Sequence, residues 1–189
     1  MIDNVALMRK AKMQLANKWG DAALGTLIYM ALMMVANITY VGQYILYGPL
    51  TFGYLLFLGC LVDTGVNNID LLFNGFKRFA ETLVAGLLYL AITSLATMLL
   101  IVPGIIAGLG LSMTFFIMVD DPNISGLDAL RQSWAMMHGH KWDLFCLGCR
   151  FIGWLLLALL TCGIGMLWLA PYMYTAMLNF YRQLRYGTF

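Results

Sequence analysis

The sequence predicts an all-α, polytopic membrane protein: a bundle of six transmembrane helices set as three hairpins, with short amphipathic helices on the cytoplasmic side. Three observations lead there. Of the 189 residues, 62% are hydrophobic and 11% charged, where a soluble domain carries about 25% charged residues. Mean hydropathy is +0.82. The apolar residues fall in runs of about 20, the length that crosses about 30 Å of hydrocarbon at about 1.5 Å per residue, and the charges gather between alternate runs.

Residues 1–189 read as a single integral membrane domain. Residues 1–21 carry Arg9, Lys10, Lys12 and Lys18 against Asp3 and Asp21. Val5, Met8, Leu15 and Trp19 share one helical face, which Lys12 interrupts. This predicts an amphipathic helix along the membrane surface, with Trp19 anchored at headgroup depth; a solvated tail is the competing reading. No short apolar core followed by a small-residue cleavage site is present, so no signal peptide is expected.

The first hairpin covers 22–62. Its first span runs from Ala22 to about Val41, with Asn37, Thr39 and Gln43 at the far end and a turn at 42–43. Its second span, ending at Val62, holds Gly48-Pro49, where a kink or late helix start is expected because proline lacks a backbone donor. The connector 63–81 carries a second short amphipathic helix, marked by Leu72, Phe73, Phe76 and Phe79 beside Lys77 and Arg78.

The second hairpin covers 82–119. Pro103-Gly104 signals its turn. Gly104, Gly108 and Ser112 recur every fourth residue, a spacing that lets helix backbones pack closely within a membrane. The connector 120–143 follows. Ser125 and Asp128 form a capping box, and the helix they open runs to about His138 and stops at Gly139. Leu127, Leu130, Trp134 and Met137 form its apolar stripe, with Asp128, Arg131 and Gln132 opposite. The helix is predicted to lie flat on the cytoplasmic surface of the bundle or in the headgroup layer, with Trp134 and Trp142 as interfacial anchors. The third hairpin, 144–184, turns at 161–165 and bends near Pro171.

Charge placement orients these spans. The turns near 42–43, 103–104 and 161–165 carry no charge. The N-terminus, both connectors and the C-terminus carry every charge except Arg150. Basic flanks mark the cytoplasmic side, so six spans with both termini inside satisfy the pattern. Each hairpin also opens with a basic, an aromatic and an acidic residue: Lys18-Trp19-Gly20-Asp21, Lys77-Arg78-Phe79-Ala80-Glu81 and Lys141-Trp142-Asp143. A threefold repeat would account for this, and so would selection at any membrane interface; both readings stay open.

The polar residues define the candidate site: Asp63, Asp120, Arg131, Asp143 and Arg150. Arg150 is the charge inside a span. It either pairs with Asp63, Asp120 or Asp143, or meets a substrate. Cys60, Cys146, Cys149 and Cys162 sit in or beside apolar runs and read as packing residues. His138, His140, Cys146 and Cys149 have poor spacing for tetrahedral zinc, so no metal and no cofactor are expected. No phosphate loop, intramembrane aspartate pair, hydrolytic triad or His-Glu-x-x-His is present. Catalysis is therefore not expected.

Val102-Pro103-Gly104-Ile105-Ile106, Asp120 to Ser125, Met136-Met137-His138-Gly139-His140-Lys141, Phe151-Ile152-Gly153-Trp154, Gly163-Ile164-Gly165 and Pro171-Tyr172 follow one pattern. It resembles the bacterial integral membrane family catalogued as "domain of unknown function nine-seventy-five". The likeness runs from Ile101 to Leu184 and is looser upstream; Leu111 stands where the family has an aromatic. It implies a multi-pass bacterial plasma-membrane protein and no chemistry. The expected role is a non-enzymatic scaffold or regulator acting through its cytoplasmic face. The alternative is a small-solute or lipid transporter or channel, with Arg150 and the hydroxyls of Thr93, Ser94, Thr97, Ser112 and Thr114 as its path. The expected partners are the lipid bilayer, a protein at the cytoplasmic face and further copies of this chain; the small net charge of +2 argues against nucleic acid.

Overall fold

Helix α1 (Asn4–Gln14) begins where Asp3 accepts hydrogen bonds from the amides of Val5 and Ala6, at 2.9 and 3.3 Å. The computed structural model describes residues 3–38, 40–161 and 163–187; Thr39 and Cys162, named above, lie outside them. The regular elements described are all helical.

The buried stripe of α1 is Leu7, Ala11 and Leu15, at four-residue spacing, while Val5 faces outward. It shares Leu15 with the predicted face, and Met8 and Trp19 also pack against the core; Leu7 and Ala11 replace Val5 because α1 docks against the bundle. Asn4 donates to the Asp143 carbonyl at 3.0 Å, and Asn179 donates to the Gln14 side chain at 2.7 Å.

Helices α2 (Trp19–Ile38) and α3 (Tyr40–Thr64) pack together. The turn expected at 42–43 is not there: Gly42 and Gln43 lie within α3. Thr26 and Tyr54 share a buried hydrogen bond of 2.8 Å across the pair. Pro49 sits inside α3, which runs on through it.

The connector helix at Ile69–Arg78 is a 3₁₀ helix ten residues long. Three residues per turn place every third side chain in eclipse. Phe73, Phe76 and Phe79 accordingly stack in a ladder, with ring centroids 6.5 and 6.4 Å apart, on the outer side. The other side presses into α3: a Cβ on Gly75 would lie 1.9 Å from the Pro49 carbonyl oxygen, and one on Gly53 at 1.9 Å from that of Leu72. Glycine is required here because two backbones touch. The 3₁₀ helix runs directly into α4 (Phe79–Leu99).

Proline 103 does not mark the turn. The chain reverses at Leu100, and Pro103 lies in the first turn of α5 (Ile101–Leu111), where a missing backbone donor costs nothing. The fourth apolar segment then breaks at Ser112-Met113 before α6 (Thr114–Asp120). Helix α7 (Gly126–Met136) explains how the break is tolerated. Its Ser133, fully buried, accepts from the Met113 amide at 3.2 Å and donates to the Gly110 carbonyl at 2.9 Å. Helix α7 packs one face on the bundle and leaves Leu127, Asp128, Arg131 and Trp134 exposed on the other. It wedges against α4, α5 and α6 through Gly126, Ala129, Leu130 and Ser133. Its cap matches the sequence: Ser125 accepts from the Asp128 amide at 3.2 Å. The predicted stripe is split, with Leu130 and Met137 buried and Leu127 and Trp134 exposed.

Helices α8 (Lys141–Leu160) and α9 (Met166–Tyr186) complete the chain. Among the described residues, five segments are long and apolar enough to cross a membrane: Trp19–Ile38, Gly42–Thr64, Ile69–Leu99, Ile101–Asp120 and Lys141–Leu160. The protein is an all-α, multi-span apolar bundle. Helix α9 is not one of the five, because polar residues fill its second half.

Candidate functional site

The expected polar residues do not converge; they are distributed over separate pairs. Asp63, at the end of α3, forms a two-pronged ion pair with Arg182 of α9, at 2.8 and 2.6 Å. Asp120, at the end of α6, accepts from Arg185 Nε at 3.0 Å, from the Tyr181 hydroxyl at 3.1 Å and from the Tyr186 hydroxyl. Hydrogen bonding to this carboxylate raises the Tyr186 pKa above its ordinary value. Asp143 faces His140 at 3.3 Å. Arg131 reaches Asp128 at 3.7 Å, and both are largely exposed. Arg78 pairs with Glu81 and donates to the Ile124 carbonyl at 2.8 Å, tying the two connectors together. Sequence reasoning missed Arg182, Arg185, Tyr181 and Tyr186 as partners because they come from the far end of the chain.

Arg150 stands apart. It lies midway along α8, about 14 Å from the Lys141 end at about 1.5 Å per residue. It is exposed and forms no ion pair among the described residues. The expected pairing with Asp63, Asp120 or Asp143 is not made. Gly153, three residues on and on the same face, meets nothing within 4 Å, and the adjacent Cys149 is exposed.

The interior holds a cavity of about 320 Å³ between α3, α4, the α5–α6 break, α8 and α9. Tyr47, Thr51, Tyr89, Ser112 and Tyr174 bring hydroxyl-bearing side chains to its wall, and Phe115, Met173 and Met177 line the rest. Two of the lining tyrosines, Tyr47 and Tyr89, stack 6.1 Å apart; behind the wall Tyr54 stands edge-on to Tyr174 at 5.2 Å and stacks on Tyr29 at 4.6 Å. Sequence reading overlooked them, although Tyr47 and Tyr54, seven residues apart, fall on one helical face. Of the hydroxyls expected along a path, Ser112 lines this cavity and Thr93, Ser94, Thr97 and Thr114 do not. Thr93, Ser94, Thr97, Ser112 and Thr114 each donate to a carbonyl three or four residues back.

The small residues take different surroundings. A Cβ on Gly104 would meet Thr97 of α4 at 2.2 Å, whereas one on Gly108 would reach Thr93 only at 4.0 Å, and Ser112 closes α5. Of the tryptophans, Trp19 packs 6.3 Å from Tyr172, Trp134 lies 3.6 Å beneath the Lys141 ammonium, and Trp142 stacks on Phe145 at 5.3 Å.

Apolar helices with paired charges at their ends define an integral membrane protein. The chain belongs to the family described as "Protein of unknown function (DUF975)", which matches residues 87–187. That stretch runs from α4 to the end of α9 and includes the α6–α7 wedge and Arg150. No curated protein and no solved structure matches this chain.

Proposed function

We propose that this is a six-span bacterial plasma-membrane protein with both termini cytoplasmic, and that it is a non-enzymatic scaffold or regulator. The sixth span is α9, whose 21 residues reach across a bilayer and end in the polar belt with Arg182 and Arg185. The ion pairs at that belt join residues far apart in sequence, so its charges serve the fold. Partner recognition then falls on α8 as well as on the cytoplasmic face.

The observation that carries this reading is Arg150. A mid-span arginine facing lipid costs about 2.5–3.5 kcal/mol on insertion scales. A transmembrane segment of another protein bearing an Asp or Glu at that depth would remove the cost, and Gly153, one turn on along the same face, leaves room for close approach. A second copy is a poor occupant, because a parallel α8–α8 contact sets Arg150 against Arg150.

The probe is a leucine-rich transmembrane peptide with one mid-depth Asp, measured by energy transfer to the full chain in liposomes. It is expected to bind more tightly than the all-leucine peptide, and Arg150→Leu, but not Arg150→Lys, abolishes the difference. Equal binding of the two peptides overturns the reading. The topology has its own check: a Cys placed at Gly163 reacts with impermeant reagent from outside only, and reaction from the cytoplasm refutes it.

The cavity favours a second reading, a transporter of small polar solutes or lipids. Its volume reaches the lower end of ligand pockets, about 300–1,000 Å³. Glycerol-driven swelling of liposomes tests it. Faster swelling than empty liposomes, slowed by Ala170→Trp, supports transport; no difference removes it.

A further inference from the structure

A second groove lies on the side of the bundle between α1, the start of α2 and the α8–α9 pair, with a volume of about 400 Å³. Trp19, Trp154, Leu157, Trp168, Leu169 and Tyr172 form its walls, and Lys12 stands at its rim. Ala158 lies at its floor, buried. Trp154, Leu157 and Trp168 are half-exposed or more, and the neighbouring Leu160 and Ile164 are more exposed still, so the groove opens onto an apolar flank.

Lys12 is the residue that interrupts the apolar face of α1 in the sequence. Its position is fixed, because Leu7, Ala11 and Leu15 bury the adjoining stripe of the helix and Gln14 is held by Asn179. It forms no ion pair among the described residues, and no acidic residue lines the groove. A cation at the rim of an aromatic trough that opens onto an exposed apolar flank matches one ligand by shape and charge.

We infer that the groove binds a bilayer phospholipid with an anionic headgroup, its acyl chain lying along Trp154, Leu157, Trp168 and Tyr172 and its phosphate at Lys12. Apolar walls take the chain and leave no polar group unsatisfied. Lys12 selects a net negative headgroup over a zwitterionic one, whose own ammonium repels it. The inference is independent of Arg150 and of any protein partner.

The test uses the full chain carrying Trp134→Phe and Trp142→Phe, so that the remaining tryptophans line the groove. It is titrated in detergent with phosphatidylglycerol or phosphatidylcholine brominated on the acyl chain. Phosphatidylglycerol should reach half-quenching at about fivefold lower mole fraction, the preference one lysine near an anionic headgroup confers. Lys12→Gln should erase that preference and Lys12→Arg keep it. Arg9→Gln, elsewhere on α1, should leave it intact, and Ala158→Phe should weaken quenching by both lipids. Equal quenching by the two lipids in the parent chain overturns the inference, since it describes an ordinary lipid annulus. So does a preference that survives Lys12→Gln, or tighter quenching by a brominated free fatty acid than by the phospholipid.

Discussion

Replacing Gly48 by alanine inserts one methyl group where α3 crosses α4. Its Cβ would lie 2.0 Å from the Thr82 carbonyl oxygen and 2.9 Å from the carbonyl carbon, against 3.4–4 Å for ordinary contact. The Thr82 backbone cannot easily retreat. The residue is fully buried, and its hydroxyl donates to the Gly75 and Arg78 carbonyls at 3.2 and 3.0 Å. Gly86 backs the same crossing, where its own Cβ would stand 2.9 Å from the Gly48 Cα. Overpacking of this kind costs about 1–3 kcal/mol, and the helical gain of alanine over glycine, about 0.5–1 kcal/mol, offsets part of it. The net loss is about 1–2 kcal/mol, or a fall in Tm of about 2–8 °C for a chain of this size. Gly59→Ala in the same helix is the control, since nothing lies within 4 Å of its Cβ. It should raise Tm by about 1–4 °C. Thermal unfolding of both variants in one detergent, followed by circular dichroism, decides the matter. Equal stability of Gly48→Ala and Gly59→Ala would refute the backbone contact.

Other substitutions probe the remaining joints. Ser133→Ala orphans the buried Met113 amide and should cost about 1–3 kcal/mol, whereas Ser94→Ala, on an exposed face, should stay within about 0.5 kcal/mol; chemical unfolding compares the two. Thr26→Val strands the buried Tyr54 hydroxyl and should cost about 1–3 kcal/mol, and adding Tyr54→Phe should recover part of that loss, since no orphan remains. Asp63→Asn and Arg182→Gln should each cost about 1 kcal/mol or less. A double-mutant cycle should return a coupling of about 0.2–1 kcal/mol that shrinks at high salt.

Hydropathy and charge placement made the apolar segments and their polar end legible, because solvation by lipid is a property of local composition. The cap at Ser125 was legible for the same reason: Ser125 and Asp128 are three residues apart and need no tertiary partner. What depends on a neighbour was not. Nothing local distinguishes Gly48, Gly53 and Gly75, which touch another backbone, from Gly59, which touches nothing. Periodicity picked out Met8, Leu15 and Trp19, which pack inward, but took Val5 in place of Leu7 and Ala11, since all are apolar and only docking on α9 selects between them. Pro103 read as a turn because proline ends helices more often than it opens them. The break at Ser112 is invisible without Ser133, twenty-one residues later, which replaces the missing helical partner. Arg150 was visible as an intramembrane charge; that it lacks an internal acid required the fold.

The charges, taken together, leave an imbalance with a direction. Asp3 caps α1, Asp21 accepts from Asn67, Asp121 accepts from the Asn123 amide, Asp63, Glu81, Asp120 and Asp128 each hold an arginine, and Asp143 faces His140, while Asp70 forms no ion pair among the described residues. Of the cations that form no ion pair among the described residues, Lys18 donates to the Leu61 and Val62 carbonyls and Lys141 lies over Trp134, which leaves Arg9, Lys10, Lys12, Lys77 and Arg150. The acids are largely consumed by the fold, and the surplus that faces outward is cationic. Three of these cations need only water or the headgroup layer. Lys12 and Arg150 differ because each borders apolar surface, where an ionic side chain is tolerated only beside a counter-charge or within reach of the interface. Lys12 sits at the mouth of a trough shaped for an acyl chain, and Arg150 sits on a flat helix face with room for another helix. The same deficit of negative charge therefore selects two different anions, a headgroup phosphate near the surface and a carboxylate deeper in the membrane. Exchanging the sign at one position should leave recognition at the other unchanged.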